Sequence, residues 1–190
     1  GCESCVSARV MVDEFSFEGL SLLSANQVRE TANFFSKLGA RTSQALLVED
    51  ELALLETGWF KSVDTRLQST RYGIRIVFSV KENPLVKEIR SSPSRIIDKH
   101  TLEQLMAQKT NQILNLGLVD RSVKAINDYF QKEGYGLCQI SSVHFDDARG
   151  ELRLGFREPI VDHIEIRGND HTLEHIVVRE HPVHRFVVAE

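Results

Sequence analysis

Apolar residues recur at every second position over the stretch that ends near residue 82. The apolar set is Ile74, Ile76, Phe78 and Val80, and the polar set between and after them is Arg75, Ser79 and Lys81. A shorter alternation at Val63, Thr65 and Leu67 precedes them across a polar turn. A period of two is the side-chain period of a β-strand, so these stretches predict a half-buried antiparallel hairpin.

Upstream of the hairpin, residues 9–18 read as a strand that ends in a turn at Gly19. Ser24 with Gln27 three residues later has the form of a capping box and predicts the start of a helix. The helical spacing places three apolar residues on one face of this helix: Val28, Ala32 and Phe35. Gly39 is expected to end it.

A second helix is predicted over residues 43–56. Its apolar residues Val48, Leu52 and Leu55 share one helical face. Gly58 stands where a glycine in the left-handed conformation closes many helices. The first half of the chain therefore reads as strand, helix, helix, strand, strand.

The same order of elements returns in the second half. Residues 85–90 predict a strand, and Leu102, Leu105 and Met106 mark a first helix. Asp120 is expected to cap a second helix that ends at Gly134. The residues expected to face the core are Val123, Ile126 and Phe130 on that helix, and Leu152, Leu154 and Phe156 on the last strand. Residues 138–145 and 151–157 form the closing hairpin.

Matches between the halves agree on one spacing. Pro84 and Pro159 are 75 residues apart, and Gly58 and Gly134 are 76 apart. Two further pairs span two periods: Phe17-Glu18-Gly19 with Ile166-Arg167-Gly168, and Val28-Arg29-Glu30 with Val178-Arg179-Glu180. A period this long is domain-sized, since solenoid repeats run about 20–50 residues. We therefore expect domains at 6–82 and 83–157, and an incomplete third one at 158–190.

The predicted fold class is α+β. Each unit is a β-α-α-β-β module, with a three-stranded mixed sheet and two helices on one face. The short junctions at Asn83-Pro84 and Glu158-Pro159 are expected to act as interdomain hinges of limited range, because proline restricts its own backbone and that of the preceding residue.

Composition adds few constraints. Hydrophobic residues make up 42% and charged residues 26%, and the net charge is −4, so nothing favours nucleic acid as a partner. No apolar run approaches the ~20 residues of a membrane-spanning helix. The chain begins without Met or an apolar leader, and we expect it to be a piece of a longer protein.

Metal and thiol chemistry are considered and set aside. Cys2 and Cys5 form one C-x-x-C pair, but a zinc site needs two further ligands. The histidines near the C-terminus are His163, His171, His175, His181 and His184. His171 and His175 have the i, i+4 spacing of a zinc-binding helix, yet the segment matches an ordinary first strand and helix. Asp146, Asp147 and Glu151 read as a hairpin turn, and Cys138 as a small core residue. We expect no cofactor or metal, and no catalytic residues.

Three segments resemble the polypeptide-transport-associated (POTRA) domain. They are Thr57-Gly58-Trp59-Phe60-Lys61-Ser62-Val63, Gly73–Pro84 with its pattern GIRIVFSVKENP, and Ile164-Glu165-Ile166-Arg167-Gly168-Asn169. Residues 125–140, AINDYFQKEGYGLCQI, are similar to the cyanobacterial and plastid branch. Ser91-Ser92-Pro93-Ser94 departs from the Gly-Asn turn of the family.

The resemblance implies the POTRA region of an outer-membrane β-barrel of the BamA and chloroplast Toc-channel superfamily. Such domains lie in the bacterial periplasm or the plastid intermembrane space. They receive unfolded precursor or outer-membrane client polypeptides, bind other subunits of the translocon or assembly machinery, and pass clients to their own C-terminal barrel. Import and membrane insertion both stay open at this point.

The second strand of each unit is the edge of the sheet in the family arrangement. An edge leaves backbone groups unpaired, so an extended chain can bind there. The candidate polypeptide-binding residues are Ser62, Val63, Asp64, Thr65, Arg66 and Leu67 in the first unit, and Gln139, Ile140, Ser141, Ser142 and Val143 in the second. Three alternatives remain: a periplasmic assembly factor of the same fold, a metal- or thiol-dependent enzyme, and a divisome-type structural protein.

Overall fold

The computed structural model describes residues 11–166, 173–180 and 184–189, with side chains described up to residue 159. Four helices lie in this part of the chain: α1 (Ala25–Thr31), α2 (Gln44–Glu56), α3 (Lys99–Leu105) and α4 (Leu116–Lys132). The strands of the first half are β1 (Val12–Glu18), β2 (Phe60–Ser69) and β3 (Ile74–Glu82). The later strands are β4 (Leu85–Val86), β5 (Glu88–Ser91), β6 (Gln112–Ile113), β7 (Gln139–Asp146), β8 (Glu151–Arg157), β9 (Pro159–Ile166), β10 (Leu173–Glu180) and β11 (His184–Ala189). The helices and mixed sheets confirm the α+β class.

The first three-stranded sheet has the order β1-β3-β2. Strand β1 runs parallel to β3, and β2 runs antiparallel to it. One face of the sheet carries Val12, Ile76, Phe78 and Val80, which are buried against Val28 of α1 and other apolar residues, among them Leu47 and Leu54 of α2. The rings of Phe15 and Phe34 stack at 5.4 Å, and Phe34 stacks on Phe78 at the same distance. Both helices therefore cover the same side.

The second sheet repeats this plan with the order β5-β8-β7. Strand β5 is parallel to β8, and β7 is antiparallel to it. Leu152, Leu154 and Phe156 are buried as expected, and Phe156 meets the ring of Phe130 edge-on at 5.9 Å. Ile126 is buried and Val123 is half-buried. Strands β4 and β6 form a separate two-stranded sheet.

The caps agree with the sequence at several ends. Gln27 N donates to Ser24 Oγ, and Ser24 N donates to Gln27 Oε1. These two hydrogen bonds confirm the capping box. Gly58 and Gly134 both follow a helix end with positive φ, at 85° and 88°. These angles strain any residue with a Cβ, which explains why glycine stands at both ends.

The first predicted helix is too long. α1 ends at Thr31, and Phe35 lies outside it with 53% of its surface exposed. The buried carboxylate of Asp50 accepts hydrogen bonds from Phe35 N and Ser36 N at 2.6 and 3.1 Å. These bonds hold the chain in a non-helical path, and Phe34 rather than Phe35 packs against the core.

The assignments for three other elements also need correction. Val48, Leu52 and Leu55 share one face of α2, but that face is exposed, and Leu47, Ala53 and Leu54 are the apolar residues buried. α4 begins at Leu116 rather than at Asp120, because Asn115 Oδ1 accepts from Gly117 N and Leu118 N and caps the helix. β7 begins at Gln139 rather than at Cys138, although Cys138 is buried as expected of a core residue.

A buried or half-buried carboxylate closes each unit. Glu82 accepts hydrogen bonds from the backbone N–H groups of Ser21, Leu22 and Leu23, at 2.6 to 3.1 Å. Glu158 accepts from Arg95 N at 3.0 Å and from the Ser94 hydroxyl. The serine segment that departs from the family turn thus serves this carboxylate. The two glutamates are 76 residues apart, so Glu158 corresponds to Glu82 and not to Asn83.

The chain divides into two compact units. The first runs to Leu85 and includes Gln112–Val119, and the second comprises Val86–Asn111 and continues from Asp120. Beyond Pro159, strands β9, β10 and β11 form an antiparallel sheet. Leu173–Glu180, expected to be helical, is a strand, so Val178 does not correspond to Val28. The predicted domain boundaries stay a prediction.

Candidate functional site

The candidate site is the outer edge of β2 in the first unit. β3 pairs with β2 on one side, and no described strand pairs with its other side. The register runs without interruption from Ser62, paired with Lys81, to Ser69, paired with Ile74. A single irregularity lies before Ser62. This part of β2 is therefore a regular edge of the sheet.

The phase of the hydrogen bonds shows which residues of β2 face outward. Ile74 N donates to Met11 O at 2.9 Å, so Ile74 directs its backbone groups toward β1. Alternation then directs those of Arg75, Val77 and Ser79 toward β2. Independently, Thr70 N donates to Gly73 O at 2.9 Å, which gives the same phase from the turn.

Val63, Thr65 and Leu67 consequently point their N–H and C=O groups away from the sheet. Ser62, Asp64 and Arg66, the other predicted residues of this strand, direct theirs into the ladder with β3. The sequence alone gives the alternation of the side chains but not this phase. The structure thus divides the six predicted residues into three that can pair with an added strand and three that hold β2 in place.

The other face of this sheet is covered by paired charges. Arg66 donates to both carboxylate oxygens of Glu18, and Ser79 Oγ donates to the same group at 3.2 Å. The hydrogen bond from Arg66 lowers the pKa of Glu18. Arg75 and Glu14 form a second pair at 2.8 Å. This face therefore carries charged pairs around the buried side chain of Val77, which is paired with Arg66, while the large apolar cluster lies on the helix side.

The opposite edge of the same sheet is partly occupied. Val12 N donates to Ala40 O at 2.9 Å, and Gly39 N donates to Val12 O at 2.7 Å. Further along β1, the Arg29 side chain donates to Phe15 O at 3.0 Å. The loop after α1 and an arginine therefore take backbone groups of β1 that an added strand would need, and β2 is the more accessible edge.

The edge of the second unit is interrupted. Ser92 N donates to Leu154 O at 2.8 Å, so Leu154 faces β5 while Arg153 and Gly155 face β7. Val143 and Phe145 then direct their backbone groups outward. The register breaks between Ile140 and Ser142. Phe145 belongs to the predicted strand 138–145 but not to the five candidate binding residues of this edge.

The predicted residues of this edge, Gln139, Ile140, Ser141, Ser142 and Val143, all lie in β7. The register break between Ile140 and Ser142 has the form of a β-bulge, which bends an edge strand and hinders its pairing with another chain. Only the part from Ser142 to Asp146 is regular. β7 is therefore the shorter of the two edges.

The residues predicted as hinges are well bonded within their own units. Asn83 is buried, and its Nδ2 donates to Gly58 O at 2.9 Å and to Leu114 O at 3.2 Å. Pro84 O accepts from Leu114 N at 2.8 Å. Glu158 is buried beside Ser94, and Pro159 begins β9. A hinge at these positions stays a prediction.

Metal-binding side chains do not converge in the described part of the chain. Among the described residues no set of three or more His, Cys, Asp or Glu side chains is arranged to hold a metal ion. Cys2, Cys5, His171 and His181 lie outside the described residues, and so do the side chains of His163, His175 and His184. His175 belongs to a strand, not to the helix that its spacing suggested. Burial, and after it the charge of Glu158, raises the pKa of the Cys138 thiol.

In the described part of the chain, no helix has the length and apolar character needed to span a membrane.

Comparison with known proteins identifies the fold. No family model matches the chain. The N-terminal domain of Omp85 from the cyanobacterium Thermosynechococcus elongatus superposes with a TM-score of 0.67 at 22% identity, covering 85% of this chain and 73% of that one. POTRA domains 1–3 of the periplasmic domain of Omp85 from Anabaena superpose with a TM-score of 0.58 at 25% identity, covering 77% of this chain and 60% of that one. The fold is that of tandem POTRA domains.

A curated relative gives the same indication from sequence. The chain is 29% identical over 120 residues to outer envelope protein 80, chloroplastic, from Oryza sativa subsp. japonica. The match covers 63% of this chain and 18% of the relative. The chain thus spans about a fifth of the length of the curated relatives it matches. The resemblance to POTRA domains of the Omp85 type, with cyanobacterial and plastid relatives, is confirmed.

Proposed function

We propose that this chain is the POTRA region of an outer-envelope barrel protein and that the outer edge of β2 receives an extended segment of a client polypeptide. The supporting observation is the unbroken edge on which Val63, Thr65 and Leu67 turn their backbone groups outward. The similarity to Omp85 POTRA domains and to a chloroplast outer envelope protein supports the setting.

Binding by strand addition needs only backbone groups of the client. Each outward residue offers one N–H and one C=O, and each hydrogen bond formed contributes about 1 kcal/mol net. Ordering the client costs about 1–2 kcal/mol for each residue fixed. The two contributions nearly cancel, so binding is weak and the client is released readily. Because few client side chains are read, the edge accepts many sequences.

The surroundings of the edge add limited selectivity. The side chains of Val63, Thr65 and Leu67 lie on the helix side of the sheet, and Leu67 is 47% exposed. Asp64 and Arg66 lie on the charged side. A client strand would meet apolar neighbours on one face and charges on the other, so we expect a preference for alternating apolar and polar residues.

The proposed location is the plastid intermembrane space, with the bacterial periplasm as the alternative. The proposed partners are unfolded precursor or outer-membrane client polypeptides, other subunits of a translocon or assembly complex, and the barrel of the same protein. The proposed role requires no catalysis and no cofactor. The match to a chloroplast outer envelope protein favours the plastid over the periplasmic assembly factor.

Thr65→Pro tests the edge directly. Proline removes an outward N–H and leaves the ladder to β3 intact, and prolines are tolerated on edge strands in this position. The probe is a fluorescein-labelled, extended peptide of about 12 residues with alternating Val and Thr. We expect at least tenfold weaker binding, about 1.4 kcal/mol, by fluorescence anisotropy. Thr65→Val keeps the N–H and serves as the control.

Wild-type binding by Thr65→Pro would contradict the proposal. If the variant is unstable, N-methylated peptides on the wild-type protein make the same distinction. Methylation of every second peptide nitrogen should abolish binding when the methylated N–H groups are those that face the edge of β2. Methylation of the intervening nitrogens, whose N–H groups face away from β2, should leave binding unchanged. Equal effects of the two phases would also contradict strand addition.

A further inference from the structure

Helix α2 is apolar on two opposite faces. Its inner face carries the buried residues Leu47, Ala53 and Leu54. Leu47 and Leu54 belong to the apolar core that covers the first sheet. The outer stripe consists of Val48, Leu52 and Leu55, which are 45%, 46% and 39% exposed. Their i, i+4, i+7 spacing places them in one line along the helix. A helix that is apolar on both sides is typical of one covered on both sides.

Acidic residues flank the outer stripe. Glu49 and Glu56 each follow a stripe residue by one position and lie along one side of it, while Glu51 precedes Leu52 and lies along the other. Gln44–Glu56 contains no lysine or arginine. The stripe is therefore an apolar line between two negative margins.

We propose that the outer stripe of α2 binds an amphipathic helix of a partner protein, with an apolar face at i, i+3 or i+4, i+7 and lysine or arginine on both flanks. Apolar side chains of the partner would cover Val48, Leu52 and Leu55, in the manner of a helix that lies along an apolar groove. Its basic residues would lie beside Glu49, Glu51 and Glu56.

Charge decides between this occupant and two others. A second copy of the chain, docked through the same stripe, would bring like-charged margins together, which is unfavourable. The surface of an anionic membrane would be repelled by the same glutamates. A basic amphipathic helix gains from both the apolar stripe and its margins. The stripe and its margins consist of side chains of α2 alone, whereas the edge of β2 offers backbone groups, so either proposal can fail without the other.

The test uses the full 190-residue chain and three synthetic peptides of about 18 residues. The first has leucines at i, i+3, i+4 and i+7 with lysines on the flanks. The second replaces the lysines with glutamates, and the third has the composition of the first in an order without periodicity. We expect the first to bind by isothermal titration calorimetry at least tenfold more tightly than the other two. Affinity should fall as salt is raised, because the margins are exposed.

Two pairs of variants locate the binding surface. Leu52→Ser should weaken binding at least tenfold, whereas Leu38→Ser, which changes another exposed leucine of the same unit, should not. The double variant Glu49→Lys, Glu56→Lys should weaken it similarly and reduce its salt dependence. Glu30→Lys is its matched control, and Thr65→Pro should leave this binding unchanged.

Four results would overturn the proposal. They are absence of binding by the first peptide up to about 1 mM, equal binding of all three peptides, equal losses in Leu52→Ser and Leu38→Ser, and wild-type affinity in the double variant. Sedimentation showing a wild-type dimer that Leu52→Ser dissociates would assign the stripe to a second copy instead. Flotation with vesicles of phosphatidylserine and phosphatidylcholine that Leu52→Ser abolishes would assign it to lipid.

Discussion

The carboxylate of Glu82 accepts a hydrogen bond from the backbone N–H of Leu23 at 2.8 Å, joining the end of β3 to the residues just before α1. Ser21 and Leu22 donate to the same carboxylate. Burial by itself would raise the pKa of Glu82, but these hydrogen bonds outweigh it and the pKa is lowered. The ionised form therefore contributes to stability.

Glu82→Gln should lower the free energy of unfolding at pH 7 by about 2 kcal/mol, because an amide accepts these donors less well and turns one N–H group toward them. A lowered pKa in the folded state gives stability that is present above the unfolded pKa and lost as pH falls through the folded pKa. The gap between wild type and variant should therefore narrow in acid. Urea unfolding between pH 7 and pH 3 measures it, and Glu30→Gln should show no gap.

Gly19→Ala should destabilise the first unit far more than Gly39→Ala. Both glycines have positive φ, at 92° and 77°, so alanine is strained at each by about 1 kcal/mol. A Cβ at Gly19 would also lie 2.1 Å from the backbone oxygen of Val80, whereas nothing lies within 4 Å at Gly39. We expect a further loss of about 2–3 kcal/mol for Gly19→Ala. Similar melting temperatures for the two variants would contradict the close approach.

Thr65→Val should stabilise the protein by about 1 kcal/mol, because the Thr65 hydroxyl is buried without a partner among the described residues. Thr70→Val is the informative contrast. The Thr70 hydroxyl donates to Asp13 and accepts from Gly73 N, so this variant should lose about 1 kcal/mol. Chemical unfolding compares the two. A loss in Thr65→Val would show that its hydroxyl is hydrogen-bonded in solution.

Cys138 should be unreactive in the folded protein. It is buried, and burial, followed by the charge of Glu158, raises its thiol pKa, so little thiolate forms near neutral pH. In a Cys2→Ser, Cys5→Ser background, labelling with a disulfide reagent at pH 8 should be at least about tenfold slower than in urea. Equal rates would mean that Cys138 is accessible. If Cys138 reacts slowly as expected, fast labelling of the wild type measures the reactivity of Cys2 and Cys5 alone. That reactivity tests the thiol-enzyme alternative.

Patterns enforced by local chemistry were predictable from the sequence. The alternation from Ile74 to Val80 gave the central strand, and Ser24 with Gln27 gave the start of α1. Gly58 and Gly134 predicted the ends of two helices, because both have positive φ and glycine adopts positive φ without the strain that a Cβ brings. Each of these features depends on residues close together in the chain.

Features that depend on distant residues were missed. The path of the chain at Phe35 is set by Asp50, and the periodicity of the segment contains no trace of that carboxylate. For α2 the spacing identified a common face at Val48, Leu52 and Leu55, but two apolar faces compete, and only packing decides which is buried. The outward phase of β2 likewise depends on its pairing with β3. The edge was predictable, and the three residues that present it were not.

The displaced counterpart of Glu82 bears on how modules of this kind are recombined. Glu158 is followed directly by Pro159, whereas Asn83 stands between Glu82 and Pro84 and bonds to Gly58 and Leu114. A chimera that joined Glu82 directly to Pro159 would lose that asparagine and its hydrogen bond to Gly58, whereas a junction at the prolines would retain both. Either junction keeps each acid with the loop that it anchors, because Ser21–Leu23 precede Glu82 and Ser94 and Arg95 precede Glu158.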